Sequence, residues 1–255
     1  MKFVLFVTAL LTLSPTVFGQ EFEFNYQTDY IVILEQTNDS LNGLYYDKLL
    51  ARFQNNDTTL TDYEVLTLLI GFTDNENYKP YSYKKIEAEI YELNDNGEHE
   101  EALAICDSIL TLFPVSQQAL IEKSYAHHKL NNHEQSDKYF WQYKRIMMAM
   151  AQSGNGLSDE TAFLSLSQVA CQNFMREHVQ SRIDDMSSET GFDQYRNIDD
   201  LLNLFEEYER AGKKMTAWLY FQIPDGSQGT FSHIYNTTYT KRIKSERFQE
   251  FHLDD

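Results

Sequence analysis

The stretch KIEAEIYELNDNGEHEEALAICDSILTLF, residues 85–113, decides the fold of this chain. Its apolar residues recur every three or four positions on both sides of a break, which is the spacing of two amphipathic helices. The break is NDNG at residues 94–97, where Gly97 is free to adopt the left-handed conformation that ends a helix. Pro114 follows the stretch and cannot continue the second helix. The pattern therefore predicts an antiparallel helical hairpin.

A fainter copy of this hairpin follows about 34 residues later, which is the period of a tetratricopeptide repeat. The offset pairs Gly97 with Asn131, which tolerates the same backbone conformation, and Ala102 with the small Ser136. The other matched pairs are Tyr91 with Tyr125, His99 with His133, and Glu100 with Glu134. Because a self-sufficient stack normally needs at least about three repeats, other elements must cover these two hairpins.

The segments on either side of the hairpins differ in pattern. Helical spacing over Tyr45–Asn55 and a capping box at Thr61–Glu64 predict helices before them. After residue 156, alternating polarity predicts a half-buried strand over Thr161–Ser167 and a β-hairpin of Met215–Ile223 with Gly229–Tyr235. A helical pattern over Ile198–Ala211 lies between these strands.

Together these patterns predict a mainly α fold of antiparallel helical hairpins resembling tetratricopeptide repeats, followed by a small α+β C-terminal region. The predicted divisions are a signal peptide at 1–19, an N-terminal helical region at 20–80, the helical hairpins at 81–152 and the α+β region at 153–255.

The start of the chain predicts export. Lys2 precedes an apolar run from Phe3 to Leu13, and this run is too short to span a bilayer. Residues 17–19, Val-Phe-Gly, place small side chains where signal peptidase requires them. We therefore expect cleavage before Gln20 and a periplasmic or secreted protein, with an uncleaved amphipathic N-terminal helix as the open alternative.

The composition is that of a globular protein with an acidic surface. Hydrophobic residues make up 42% of the chain, enough for a core. The 21 basic and 39 acidic side chains give a formal charge of −18, which repels nucleic acid and anionic membranes. The two cysteines, Cys106 and Cys171, lie in apolar patterns that favour buried thiols, although an exported protein permits a disulfide.

Several separated motifs occur in an order that is typical of one family. They are YDKLLARF at 46–53, NDTTLT at 56–61, GF at 71–72, YKPY at 78–81, SGNG at 153–156 and ETAF at 160–163. With these motifs the chain resembles the secreted bacterial family catalogued as domain of unknown function 4919 over roughly residues 30–223. The resemblance implies an exported protein with a tetratricopeptide-like middle, and it implies no established activity and no catalytic residues.

Motifs for catalysis and metal binding are weak. His128 and His133 are five residues apart, whereas helical metal ligands are typically four apart, and Asn131 separates them. A calcium-loop-like start at residues 92–97 has Leu103 where the bidentate acid is needed. No Gly-x-Ser-x-Gly element occurs. We therefore predict no catalytic residue, no metal and no cofactor, although no pattern excludes a carboxylate pair among the 39 acidic residues.

The helical hairpins favour a binding function. Repeats of this type present a groove between their first helices, and such grooves bind peptides or partner proteins. The candidate groove residues are Glu89, Lys123, Tyr125 and His128. The sequence thus predicts a protein- or peptide-binding scaffold of the bacterial cell envelope with an unidentified partner. A secreted carboxylate-based hydrolase and a purely structural envelope protein are the alternatives.

Overall fold

The structure, a computed structural model, describes residues 24–158, 160–177, 182–187, 216–224 and 230–238. The predicted signal peptide at 1–19 and the predicted helix at Ile198–Ala211 lie outside these residues.

Helices dominate the described part of the chain. They are α1 Tyr26–Asn38, α2 Tyr46–Gln54, α3 Asp62–Phe72, α4 Lys84–Asp95, α5 His99–Leu112, α6 Gln117–Lys129, α7 His133–Gln152 and α8 Gln168–Glu177. The pairs α4–α5 and α6–α7 are the two predicted hairpins, and α2 and α3 are the helices expected before them. The predicted mainly α fold is therefore confirmed, whereas packing of the tetratricopeptide type stays a prediction.

The two hairpins end their first helices in the same way. Gly97 has a φ of 82° and Asn131 a φ of 59°, so both adopt the predicted left-handed conformation. The matched backbone bonds that close the two turns are Glu98 N–H to Leu93 O at 2.8 Å and Asn132 N–H to His127 O at 2.8 Å. Each pair of atoms recurs after an offset of 34 residues, so the two turns have the same closing geometry.

The entry to α3 is fixed by the predicted capping box. The Thr61 hydroxyl accepts a hydrogen bond from the Glu64 amide at 3.1 Å, and the Glu64 carboxylate accepts one from the Thr61 amide at 2.8 Å. Arg145 of α7 then donates to the Leu60 carbonyl at 2.7 Å and pairs with Asp62 at 2.7 Å. The start of α3 is therefore held both locally and by the long helix α7.

A small sheet follows the helices. Its strands are β1 Phe163–Leu164, β2 Arg182–Ser187, β3 Thr216–Pro224 and β4 Thr230–Thr238, in the order β1-β3-β4-β2. Strands β3 and β4 pair antiparallel with Tyr220 opposite Ile234, which confirms the predicted β-hairpin. Strand β1 pairs with β3 in parallel.

The prediction of a half-buried strand over Thr161–Ser167 was wrong. Only the two residues of β1 form a strand, and residues 162–167 are all buried. Phe163 lies against Phe174 of α8 at 4.7 Å and against Phe221 of β3 at 5.5 Å between ring centroids. Because neighbours cover the segment on more than one side, its alternating sequence does not correspond to alternating exposure.

The glycine-rich motif at residues 153–156 joins the helices to the sheet. Gly156 has a φ of 69°, and a Cβ at this position would lie 2.4 Å from the Phe163 ring. The Gly156 amide donates to the Thr161 carbonyl at 2.7 Å, and the Tyr220 amide donates to the Gly156 carbonyl at 2.8 Å. Among the described residues, the main hydrophobic core extends from Phe24 to Ile223 across this junction, and Ala162 and Tyr220 form a second, smaller cluster.

Candidate functional site

A cleft of about 470 Å³ lies between α2, α5, α6 and α7. We call it the lysine cleft. Its lining residues are Leu50, Gln54, Asp107, Leu110, Thr111, Pro114, Leu120, Lys123, Lys138, Tyr139 and Gln142. The set combines aliphatic side chains with two lysines, one acid and several hydrogen-bonding groups. Apolar walls with a few convergent polar groups are typical of ligand sites.

Lys123 is the central charged group of the cleft. Its ammonium pairs with the carboxylate of Asp107, 16 positions earlier on α5. The Lys123 side chain is only 10% exposed, whereas that of Asp107 is 66% exposed. The Lys123 Nζ also lies 4.1 Å from the centroid of the Tyr139 ring, a cation–π distance. The cation is therefore held within the wall, and its counter-ion stands at the solvent edge.

The protonation of Lys123 follows from these neighbours. Burial lowers the pKa of Lys123, but its hydrogen bonds to Asp107 and Tyr139 outweigh burial, so the net pKa lies above the ordinary value. Lys123 is therefore charged at neutral pH. Burial, and secondly the Lys123 charge, lower the pKa of His127, which stacks on Tyr139 at 5.6 Å with 7° between the rings. The Tyr139 ring thus contacts a neutral imidazole as well as the cation.

The wall formed by α2 and α7 is fixed by Gln142. Its buried amide donates to the Phe53 carbonyl at 3.2 Å and to Asn56 Oδ1 at 3.0 Å. Asn56 in turn donates from its side chain to the Lys138 carbonyl at 3.2 Å. Asn56 has a φ of 54°, a left-handed conformation that asparagine tolerates. These bonds hold the end of α2 against α7, so the cleft has a preformed wall.

The four residues predicted to share a groove occupy different surroundings. Of the four, Lys123 lines the cleft. Glu89 is exposed on α4. Tyr125 packs edge-on against His99 at 5.9 Å, and His128 against His133 at 5.6 Å.

The positions of Lys123 and Tyr125 on α6 explain why these two side chains are separated. Two helical residues that are two positions apart point about 200° apart around the axis, so Tyr125 faces away from Lys123. Lys123 therefore belongs to the cleft, and Tyr125 belongs to the opposite side of α6. Sequence reasoning did not single out Asp107, Tyr139 and Gln142 of the cleft.

A buried polar network joins α4, α6 and α8. Glu122 accepts hydrogen bonds from Asn94 Nδ2 at 2.8 Å on one carboxylate oxygen and from Gln118 Nε2 at 2.8 Å on the other. Gln118 Oε1 accepts from Asn173 Nδ2 at 2.9 Å. Both oxygens of Glu122 accept hydrogen bonds from side-chain amides, one from Asn94 of α4 and one from Gln118 of α6. This buried carboxylate is therefore fully hydrogen-bonded and joins the helices.

Glu87 of α4 is a second buried carboxylate, and it contacts Ser116 at the start of α6. It is 3% exposed and accepts a hydrogen bond from the Ser116 hydroxyl at 2.8 Å. Burial raises the pKa of Glu87 to about 7, although the Ser116 bond opposes the shift. Neither Glu87 nor Glu122 lines the lysine cleft. The geometry therefore gives the cleft no pair of carboxylates.

Metal and thiol chemistry find little support in the described residues. In that part of the chain, no group of three or more His, Cys, Asp or Glu side chains could hold a metal ion. Cys106 and Cys171 are both buried and not in a disulfide. Burial raises the pKa of Cys106 to about 12, so its thiol is protonated at neutral pH and is a poor nucleophile.

The fold and the cleft define a mainly helical hairpin protein with an interhelical cleft of ligand size. The chain belongs to the family described as Domain of unknown function (DUF4919), whose family model matches residues 32–208. No curated protein and no solved structure matches the chain significantly. None of the helices within the described ranges combines the length and apolarity that a bilayer crossing requires.

Proposed function

We propose that this protein is an exported peptide- or protein-binding scaffold of the bacterial cell envelope and that the lysine cleft is its binding site. The observation that carries the proposal is the cleft itself, since it places a buried, charged lysine beside apolar walls. A volume of about 470 Å³ lies within the range of small-ligand pockets and accommodates a few side chains of a bound segment.

The construction of the cleft supports binding by a preorganised surface. Gln142 and Asn56 fix one wall, and the cation–π contact fixes Lys123 against Tyr139. Side chains that are already ordered lose little conformational entropy when a ligand binds. The aliphatic residues Leu50 and Leu110 add surface that a bound apolar side chain can cover.

The alternatives fit these observations less well. A carboxylate-based hydrolase would need two acids near one cleft, and the lysine cleft is lined by the single acid Asp107. A purely structural role gives no reason for a buried cation whose counter-ion is largely solvated. A binding function explains both the buried Lys123 cation and its largely solvated counter-ion Asp107.

Site-directed photo-crosslinking in native envelopes tests the proposal. A photoreactive residue at Thr111, which lines the cleft, is compared with one at Lys144, which is exposed on α7 and does not line it. We expect a discrete crosslinked species at Thr111 that is absent at Lys144. Equal crosslinking at both positions, or background alone at Thr111, would contradict a binding role for the cleft.

Export is tested separately on protein from the native host. We expect N-terminal sequencing of the exported chain to begin at Gln20, as the signal pattern predicts. An exported chain that retains Met1 would contradict cleavage, and a chain confined to the cytoplasm would contradict the envelope location.

A further inference from the structure

We infer that the ligand of the lysine cleft is an acidic peptide segment, whose carboxylate replaces Asp107 on the Lys123 ammonium while a neighbouring apolar side chain enters the cleft. This inference rests on the proposed binding function and adds the chemical class of the ligand. Three features of the cleft point to an acidic peptide: the unequal exposure of the ion pair, the aliphatic walls and the charge of the cleft relative to that of the whole protein.

The unequal exposure of the ion pair makes Asp107 replaceable. Lys123 is 10% exposed and needs a counter-charge, because an unpaired buried cation is strongly unfavourable. Asp107 is 66% exposed, so its carboxylate can be hydrated when it leaves the pair. An incoming carboxylate keeps the cation paired throughout. A neutral or basic ligand would have to leave Asp107 in place, since nothing else would neutralise Lys123.

The walls of the cleft add the apolar requirement. Leu50, Leu110, Pro114 and Leu120 line it together with Lys123. A carboxylate alone would cover none of this aliphatic surface. An acidic residue beside a Leu- or Phe-like residue satisfies both the cation and the walls.

Charge complementarity separates the cleft from the rest of the molecule. The chain carries a formal charge of −18, and yet this cleft is lined by two lysines and one acid. Lys138 is the second cation, and its Nζ lies 5.7 Å from the Tyr139 ring. An acidic segment that the protein as a whole repels is therefore attracted at the lysine cleft, which favours binding at this position.

Selection from a display library of short random peptides tests the inference. We expect the wild-type protein to enrich peptides in which Asp or Glu adjoins Leu, Phe or a similar residue. A fluorescent copy of an enriched peptide is then compared with a copy whose acid is replaced by its amide. The amide copy should bind more than about tenfold more weakly, because it cannot replace Asp107 on the Lys123 ammonium and so forms no ion pair of its own. Binding of the acidic copy should weaken as salt is added.

Three variants connect the peptide to the ion pair. Asp107→Asn removes the internal competitor and should tighten binding of the acidic copy at least about twofold, because Lys123 then has no internal counter-charge to give up. Lys123→Met should weaken it more than about tenfold. Lys144→Met removes an exposed lysine of α7 outside the cleft and should leave binding unchanged. Thermal melting shows whether each variant is folded. If Lys123→Met does not fold, Asp107→Asn still tests the ion pair, because it changes a largely exposed side chain.

The outcomes distinguish this inference from the proposed function. If the enriched peptides lack acidic residues, and Thr111→Arg in the cleft abolishes their binding, the inference of an acidic ligand is overturned while the proposed peptide-binding function is kept. Weaker binding by Asp107→Asn would overturn the displacement of Asp107. A library that yields no enriched peptide would count against both.

Discussion

Replacing Glu87 with glutamine should stabilise the protein at neutral pH and remove a pH dependence of its stability. Glu87 is buried, and burial raises its pKa from 4.5 to about 7 in the folded state. Between those values the folded protein binds more protons than the unfolded chain, so the free energy of unfolding falls as pH rises. The contribution is fully present below about pH 4.5 and is lost by about pH 7.

The size of the effect follows from the shift. Each pKa unit corresponds to about 1.4 kcal/mol, so the loss across this window is about 3 kcal/mol. For a chain of this size that is a change in melting temperature of about 6 to 12 °C. Glutamine keeps an oxygen that accepts from the Ser116 hydroxyl and carries no charge at any pH.

Chemical denaturation across the pH range measures the prediction. We expect Glu87→Gln to equal the wild type near pH 4 and to exceed its free energy of unfolding above pH 7. Glu89→Gln, on the exposed side of the same helix, should leave the wild-type profile unchanged. The pKa of Asp57 is lowered to about 2, chiefly by hydrogen bonds from Thr59 and then from Arg52. The stability that ionised Asp57 contributes is therefore lost at a lower pH than the Glu87 window. If the free energy of unfolding depended on pH in the same way for wild type and Glu87→Gln, the reasoning would be refuted.

Three further predictions concern the scaffold and are read by thermal denaturation. Ala102→Trp should cost about 1–3 kcal/mol or more, because Ala102 is fully buried where the hairpin helices pack, and an unchanged midpoint would contradict that placement. Gly156→Ala should cost roughly 1–3 kcal/mol, since it adds backbone strain and a contact with Phe163. Gly43→Ala, with nothing within 4 Å of the added atom, is its control, and equal losses would refute the argument. Thr61→Ala should cost about 1 kcal/mol by removing the capping box, and no loss would show that the cap is dispensable.

Local features of the fold were predictable because neighbouring residues determine them. Gly97 and Asn131 end helices through their own backbone preferences, and Thr61 and Glu64 form a cap within one turn. Helix α8 was missed, since its short pattern follows directly on a segment that alternates like a strand. Burial on several sides of that segment depends on α8 and β3, which sequence spacing alone does not show.

The lysine cleft could be predicted only in part. Lys123 was named as a binding residue, but its grouping with Tyr125 assumed that both side chains face the same groove. Asp107 and Tyr139 reach Lys123 from different helices, and no periodicity within one segment encodes that convergence. Glu87 was missed for a related reason: an acid in the first turn of a helix ordinarily faces solvent, and only the packing of α6 buries it.

The hydrogen bond between the Tyr78 hydroxyl and the Pro224 carbonyl, at 2.7 Å, has a consequence for the order of folding. It joins residues 146 positions apart, whereas each helical hairpin closes within a few tens of residues. Contacts of large sequence separation form slowly, because a long loop must close before they contribute. We therefore expect the hairpins to form early and strand β3 to dock last, so that a chain interrupted before residue 216 would expose the core residues that β3 covers. Partially synthesised chains should accordingly be prone to aggregate even when their helices are complete.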